Sequence, residues 1–227
     1  WKPELQLFAE TSGKNALVVT ASSSLGTASF SVPVGSLDEF LPGQFRFLQL
    51  TPVSLVDGNN GNTIATLDQA TLFLRPDPQI AMGFALTSGD AATQVTISSA
   101  MLSFPGLSPA QGSASAALTL TDIQGNGSTL TGSGPGGTAY SSHYNGAAPG
   151  GTVFASGVTG LSTSGSDGDD FEVLTTAIGA TVADMSAQYS FLLSANDSAS
   201  GTSTYTITPE PSSLALLALA ALVARRR

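Results

Sequence analysis

The chain has no cysteine, one histidine (His143), one tryptophan (Trp1) and only seven basic residues in 227. Without cysteine there is no disulfide framework, no thiol nucleophile and no Cys-ligated zinc or iron–sulfur site. A single histidine excludes multi-His metal centres. Three of the seven cations are the last three residues, Arg225, Arg226 and Arg227, so the remainder sets four basic residues against sixteen acidic ones. No basic surface is left to displace counterions from phosphates, which argues against a nucleic-acid partner. Position 1 is Trp rather than Met, so any secretory signal peptide is expected to lie outside this sequence.

Hydroxyls are abundant instead: 31 Ser and 25 Thr, with 25 Gly. They alternate with apolar residues at period two. Ala28, Phe30, Val32 and Val34 share one face of 27–34, and Tyr189, Phe191 and Leu193 one face of 188–194. In 202–208, Thr202, Thr204, Thr206 and Thr208 oppose Ser203, Tyr205 and Ile207, and Ala116, Leu118 and Leu120 alternate with Ala117, Thr119 and Thr121. These patterns predict half-buried antiparallel strands, solvated on one face by hydroxyls rather than charges. Further strands are expected at 4–10, 15–21, 45–51, 81–87, 153–158 and 171–176. Across 94–104 the phase slips near Ser98 and Ser99, which a bulge or a strand crossing between sheets would explain. Helix is scarce: Ser36 and Glu39 have capping-box spacing ahead of Phe40 and Leu41, predicting a turn or two of helix over 36–41 that stops at Pro42 and Gly43. The expected fold class is all-β, an antiparallel β-sandwich of jelly-roll type.

Between residues 123 and 166 there is no Asp, Glu, Lys or Arg, and nearly half of all glycines fall there. Val153, Phe154, Val158 and Leu161 favour partial order in this segment over a disordered linker. Turns are expected at 57–62 and at Asp77 and Pro78.

The C-terminus reads differently. Pro209, Glu210 and Pro211 precede Ser212 and Ser213, then eleven residues (214–224) of Leu, Ala and Val only, then the three arginines. Proline is accepted at the start of a helix but not in its interior, so a helix beginning near Pro211 is expected. Residues 212–224 would span about 20 Å at ~1.5 Å per residue, short against a hydrocarbon core of about 30 Å. Five Leu and one Val supply roughly 3 kcal/mol of insertion free energy. The segment reads as a weak membrane anchor whose arginines stay on the cytoplasmic side. The competing reading is a buried hydrophobic helix with a basic end.

A Pro-Glu-Pro motif, a short Leu/Ala-rich transmembrane stretch and a terminal arginine cluster resemble the PEP-CTERM protein-sorting signal. Here Pro209, Glu210 and Pro211 carry the motif, 212–224 the apolar stretch, and Arg225, Arg226 and Arg227 the membrane stop. The resemblance implies a substrate of an exosortase, a membrane-embedded peptidase that cuts near the motif. It further implies a Gram-negative, exopolysaccharide-producing host and passage from the inner membrane to the cell surface or beyond. The expected organisation is an extracytoplasmic domain over 1–208 and a sorting tail over 209–227.

Three constellations are candidates for chemistry. His143, beside Tyr140 and Tyr144, could serve as the base of a Ser–His–Asp hydrolase, but no Gly-x-Ser-x-Gly elbow accompanies it; a surface-loop histidine is the preferred reading. Asp167, Asp169, Asp170 and Glu172 form the densest acidic cluster. A Ca²⁺ site is physically sensible there, although the run lacks the twelve-residue calcium-loop pattern and a solvated acidic turn is preferred. Asp57, Asn59 and Asn62 read the same way. Tyr140 and Tyr144, with His143, form a candidate sugar-stacking surface, whereas Tyr189 and Tyr205 belong to the core. No catalytic residue is assigned and no cofactor is required beyond that Ca²⁺ option. The leading expectation is a non-enzymatic, exported structural protein of the surface or matrix. A carbohydrate-binding module for exopolysaccharide is the alternative, and a secreted hydrolase ranks third.

Overall fold

Side chains that alternate between apolar and hydroxyl can bury one face and hydrate the other, and nearly every such run in this chain is a strand. The computed structural model describes residues 14–75 and 77–210. In chain order the strands are β1 (Asn15–Ser23), β2 (Gly26–Pro33), β3 (Asp38–Leu41), β4 (Gln44–Gln49), β5 (Val53–Val56), β6 (Thr63–Arg75), β7 (Gln79–Ser88), β8 (Thr93–Ser99) and β9 (Leu102–Leu107). They continue as β10 (Ala110–Thr121), β11 (Ser128–Gly132), β12 (Tyr140–Tyr144), β13 (Thr152–Gly157), β14 (Gly160–Thr163), β15 (Ser166–Ile178), β16 (Val182–Leu193) and β17 (Ser198–Pro209). Two antiparallel sheets face each other as a sandwich. One runs β13-β12-β16-β8-β1-β2, with β9 and β11 also on β16 and β14 on β11; the other runs β15-β10-β17-β7-β6-β4-β3, with β5 on β6. The strand expected at 4–10 lies outside the described residues.

One expectation is corrected. Residues 36–41 are not helical: a 3₁₀ turn at Val34–Ser36 leads into β3. Glu39 does not cap a helix but accepts the Gly43 N–H (2.7 Å) across the β3–β4 turn, where Gly43 has φ +73°. A six-residue segment cannot repay helix nucleation, while the hairpin gains the Asp38–Arg46 ion pair (2.9 Å) and Arg46 over the Phe40 ring. The glycine-rich segment is ordered, as its apolar residues predict, since β11 to β14 lie inside it. The slip near Ser98 is a bulge. Gln188 pairs with Ser98 and Met185 with Leu102, so β8 and β9 spend one extra residue against β16, and the Ser99 hydroxyl takes the Ala187 N–H (3.0 Å).

The core is aromatic at its centre. Phe84 of one sheet meets Tyr189 edge-on (5.0 Å) and stacks on Phe191 (5.8 Å) of the other, and Tyr140 lies 5.2 Å from Tyr189. Tyr189 and Tyr205 are fully buried, as their strand faces predict. The phenol oxygens of Tyr140, Tyr189 and Tyr205 have no hydrogen-bond partner, and burial pushes all three phenols well above their ordinary pKa. An unpaired buried hydroxyl is costly, so Tyr205→Phe should raise stability by about 1 kcal/mol in denaturant unfolding. A loss of that size instead would mean that the phenol is paired.

Candidate functional site

β17 sits at the centre of its sheet, hydrogen-bonded to β10 on one side and β7 on the other. Its register with β10 runs unbroken from Ser198 opposite Thr121 to Pro209 opposite Ala110. Tyr205 and Ile207 point into the core and are fully buried. The Ile207 N–H donates to the Pro78 carbonyl (2.9 Å), and the Glu210 N–H donates to the Pro109 carbonyl (3.1 Å). Pro209, which has no N–H to offer, is the last residue of the strand. The sandwich therefore runs through Pro209 and Glu210, past the expected boundary at 208. Pro211, the 212–224 run, and Arg225, Arg226 and Arg227 lie outside the described residues. Among the described residues no helix is long and apolar enough to cross a membrane.

The acidic cluster is not a loop. Asp167, Asp169, Asp170 and Glu172 all lie on β15, the edge strand beside β10. Alternation puts Asp170 and Glu172 on one face and Asp167 and Asp169 on the other, so the four do not converge, and no group of three metal-ligating side chains occurs among the described residues. Their placement has a simpler physical consequence. A thirteen-residue edge strand presents open backbone groups to any incoming strand, and clustered like charge repels one. Replacing all four by Asn or Gln should raise the apparent mass in light scattering above that of the wild type; a variant that scatters like the wild type would count against edge protection.

Asp57 locks two turns together. One carboxylate oxygen accepts the Thr27 N–H (2.8 Å) from the β1–β2 turn, and the other accepts Asn59 (2.7 Å) and Asn60 (3.2 Å). Asn60 and Asn62 amides both donate to the Leu25 carbonyl (2.8 and 3.1 Å). Gly26, at φ +134°, has no room for a Cβ because that space holds the Asp57 carboxylate. The Thr27 N–H, then the Asn59 N–H, hold the Asp57 pKa below its ordinary 3.8 against the opposing effect of burial. A carboxyl whose folded pKa is depressed contributes stability that is present above its unfolded pKa and lost as pH falls through the folded one. Wild type should lose stability progressively below about pH 4, while Asp57→Ala starts about 5 °C lower in Tm at pH 7 and shows a shallower acid decline. Thermal melts at pH 7 and pH 3 check both slopes. Asp122 closes the β10–β11 turn similarly: burial raises its pKa but is outweighed by N–H donation from Gly127 and Gly125 (2.7 Å each), so the net shift is downward.

His143 is not on a surface loop. It lies on β12 and is fully buried. Its Nε2 is 2.9 Å from the Ser141 hydroxyl and its Nδ1 is 3.2 Å from the Gly151 carbonyl. The residues after β12 fold back over β16: the Ala148 N–H donates to Ser186 Oγ (2.9 Å), and that hydroxyl donates to the Gly146 carbonyl (3.2 Å). The Ser141–His143 contact thus has the make-up of a nucleophile–base pair, yet both side chains are sealed from substrate. Tyr140 is also buried, in the core, and Tyr144 is half-buried, so the expected Tyr140–His143–Tyr144 stacking surface does not exist.

Two features had no signal in the sequence. Asp197 is fully buried; the Ser194 hydroxyl donates to its Oδ2, its Oδ1 has no partner, and its N–H donates to Ser88 Oγ (3.1 Å). Ser88 is 109 residues away, so no local spacing could announce the pair. The outer face of the β15-β10-β17-β7-β6 region carries two adjoining shallow grooves of about 290 and 330 Å³ that share Ala117 and Thr202. The first is floored by Thr71, Thr119 and Ser200, the second by Ser115, Thr204, Asp170 and Glu172.

Comparison with known proteins bears on the tail. A family model described as the PEP-CTERM protein-sorting motif matches residues 208–227. The comparison with curated proteins returned no match. Among solved structures, one of the infectious bursal disease virus Gx strain is similar at 12% identity with a TM-score of 0.32, covering 90% of this chain and 54% of the viral one. One of the Gt strain is similar at 12% identity and a TM-score of 0.26, covering 87% and 60%. The chain thus spans between half and two thirds of those viral chains. The sorting motif is therefore present at the C-terminus, and it implies an exported protein, anchored transiently at a membrane and processed there by an exosortase.

Proposed function

We propose that the protein is a non-enzymatic structural component of the cell surface or extracellular matrix, delivered through its C-terminal tail. The observation that carries this reading is the sorting motif at 208–227, joined without a spacer to a sandwich whose outer strand faces are hydroxyl-rich. Such faces hydrate well and hydrogen-bond readily to polyhydroxylated polymers. The experiment is fractionation of the host with and without its sorting peptidase. The protein should move from membrane to matrix only when the peptidase is present, and purified protein should turn over none of a panel of polysaccharides and esters. Retention of the full-length chain in the membrane of both strains, or turnover of any substrate, would sink it.

A second reading has its own observation: the paired grooves, where Thr71, Thr119, Ser200, Thr202 and Thr204 lie beside Asp170 and Glu172. Hydroxyls and carboxylates on a flat sheet can bind an extended glycan through its hydroxyl groups. Glycan-array binding that is lost in Thr202→Val and in Asp170→Ala would favour a carbohydrate-binding role; repeating the array with a chelator tests calcium dependence.

A further inference from the structure

We infer that the bond cut during sorting lies on the C-terminal side of Glu210, so that the body is released with β17 intact. This rests on the sorting reading above and deepens it, because the motif alone does not place the cut. A peptidase reads its substrate as extended backbone, using N–H and C=O groups along an open strand edge. As far as Thr206 neither edge of β17 is open. Ser198 to Pro209 are paired with β10 throughout, and Ser198 to Thr206 with β7. The remaining amides near the end are also engaged: Ile207 by the Pro78 carbonyl and Glu210 by the Pro109 carbonyl. Presenting any bond up to Thr206 would require β17 to leave both neighbours and would expose the fully buried Tyr205, and from Ile207 to Glu210 the backbone is held by β10 and by the Pro78 and Pro109 carbonyls.

The strand therefore acts as a stop for the peptidase from the body side. The first bond beyond these contacts is Glu210–Pro211. Residues 211–213 separate Glu210 from the apolar run, a reach of about 10 Å at ~3.3–3.6 Å per residue. A membrane-embedded peptidase accordingly meets the folded body close to the membrane surface and works in the short interval between the two. The step breaks one peptide C–N bond. The acyl carbon passes to water, which supplies the hydroxyl of a new carboxylate and a proton to the departing amine. Alternatively it passes to an amine acceptor, which forms a new amide and yields that proton.

The test is intact mass spectrometry of the full-length protein produced in a host with its sorting peptidase, on membrane and exported fractions. The expected body ends at Glu210 or later. A variant with six Gly and Ser residues inserted after Glu210 should also be cut at or beyond Glu210, never within β17. A body ending at Pro209 or earlier overturns the inference alone and leaves the sorting reading standing. A chain uncut in every fraction overturns both.

Discussion

Phe84→Ala should cost about 3–5 kcal/mol, a large share of the roughly 5–15 kcal/mol typical of a folded domain. The ring meets both Tyr189 (5.0 Å) and Phe191 (5.8 Å) of the facing sheet, so its loss opens the centre of the sandwich. The space cannot close from behind, because a wall of it is backbone. A Cβ on Gly201 would lie 2.7 Å from the Phe84 ring, 2.8 Å from a Leu118 methyl and 3.0 Å from the Ala117 carbonyl. Gly201 is thus glycine because β17 must pass under that ring. Gly201→Ala in the wild type should cost about 1–3 kcal/mol by overpacking. With Phe84→Ala already made, the same methyl enters vacated space and its cost should shrink by about 1 kcal/mol or more, a coupling that a double-mutant cycle in urea reads directly. Strictly additive losses would show that the ring and the glycine do not share the contact.

Legibility in the sequence tracked how local each determinant is. β2, β7, β17 and the second half of β16 follow from uninterrupted alternation. β6 does not, although it is thirteen residues long. Its register with β7 shifts between Leu67 and Gln69, so Ala65 and Leu67 are buried in one phase and Ala70, Leu72 and Leu74 in the other. A bulge at Asp68 erases the period that would have revealed the strand. The helix expected at 36–41 had correct capping residues, but Glu39 spends its carboxylate on Gly43. The polar sites were misread for a related reason. His143 looks like a loop residue because Ser, Gly and Asn surround it, and only the fold-back of 145–151 onto β16 buries it. The acidic run was visible, but its effect depends on β15 being an edge, which is a property of the whole sheet. The sorting motif was legible because motif, apolar run and cations are contiguous and need no tertiary partner to be recognised.

Replacing Arg225, Arg226 and Arg227 by alanine should release uncut chain from the membrane, raising full-length protein in the exported soluble fraction at least tenfold. The apolar run contributes only roughly 3 kcal/mol of insertion free energy, too little to hold a sandwich of this size firmly. Each arginine, by contrast, opposes passage through the hydrocarbon by about 2.5–3.5 kcal/mol, so the three together outweigh the run that precedes them. On the proposed reading they are the stop, and they hold the precursor in place until the peptidase acts. Lysine carries the same charge on a similar stem, so the triple Arg→Lys variant should be retained and cut like the wild type. Intact masses of membrane and exported material, for the alanine and lysine variants side by side, separate charge from sequence recognition. If the alanine variant is held and cut normally, the apolar run alone suffices and the cations have another task. If the lysine variant also escapes, the peptidase reads the guanidinium groups themselves, and the tail is recognised before it is anchored.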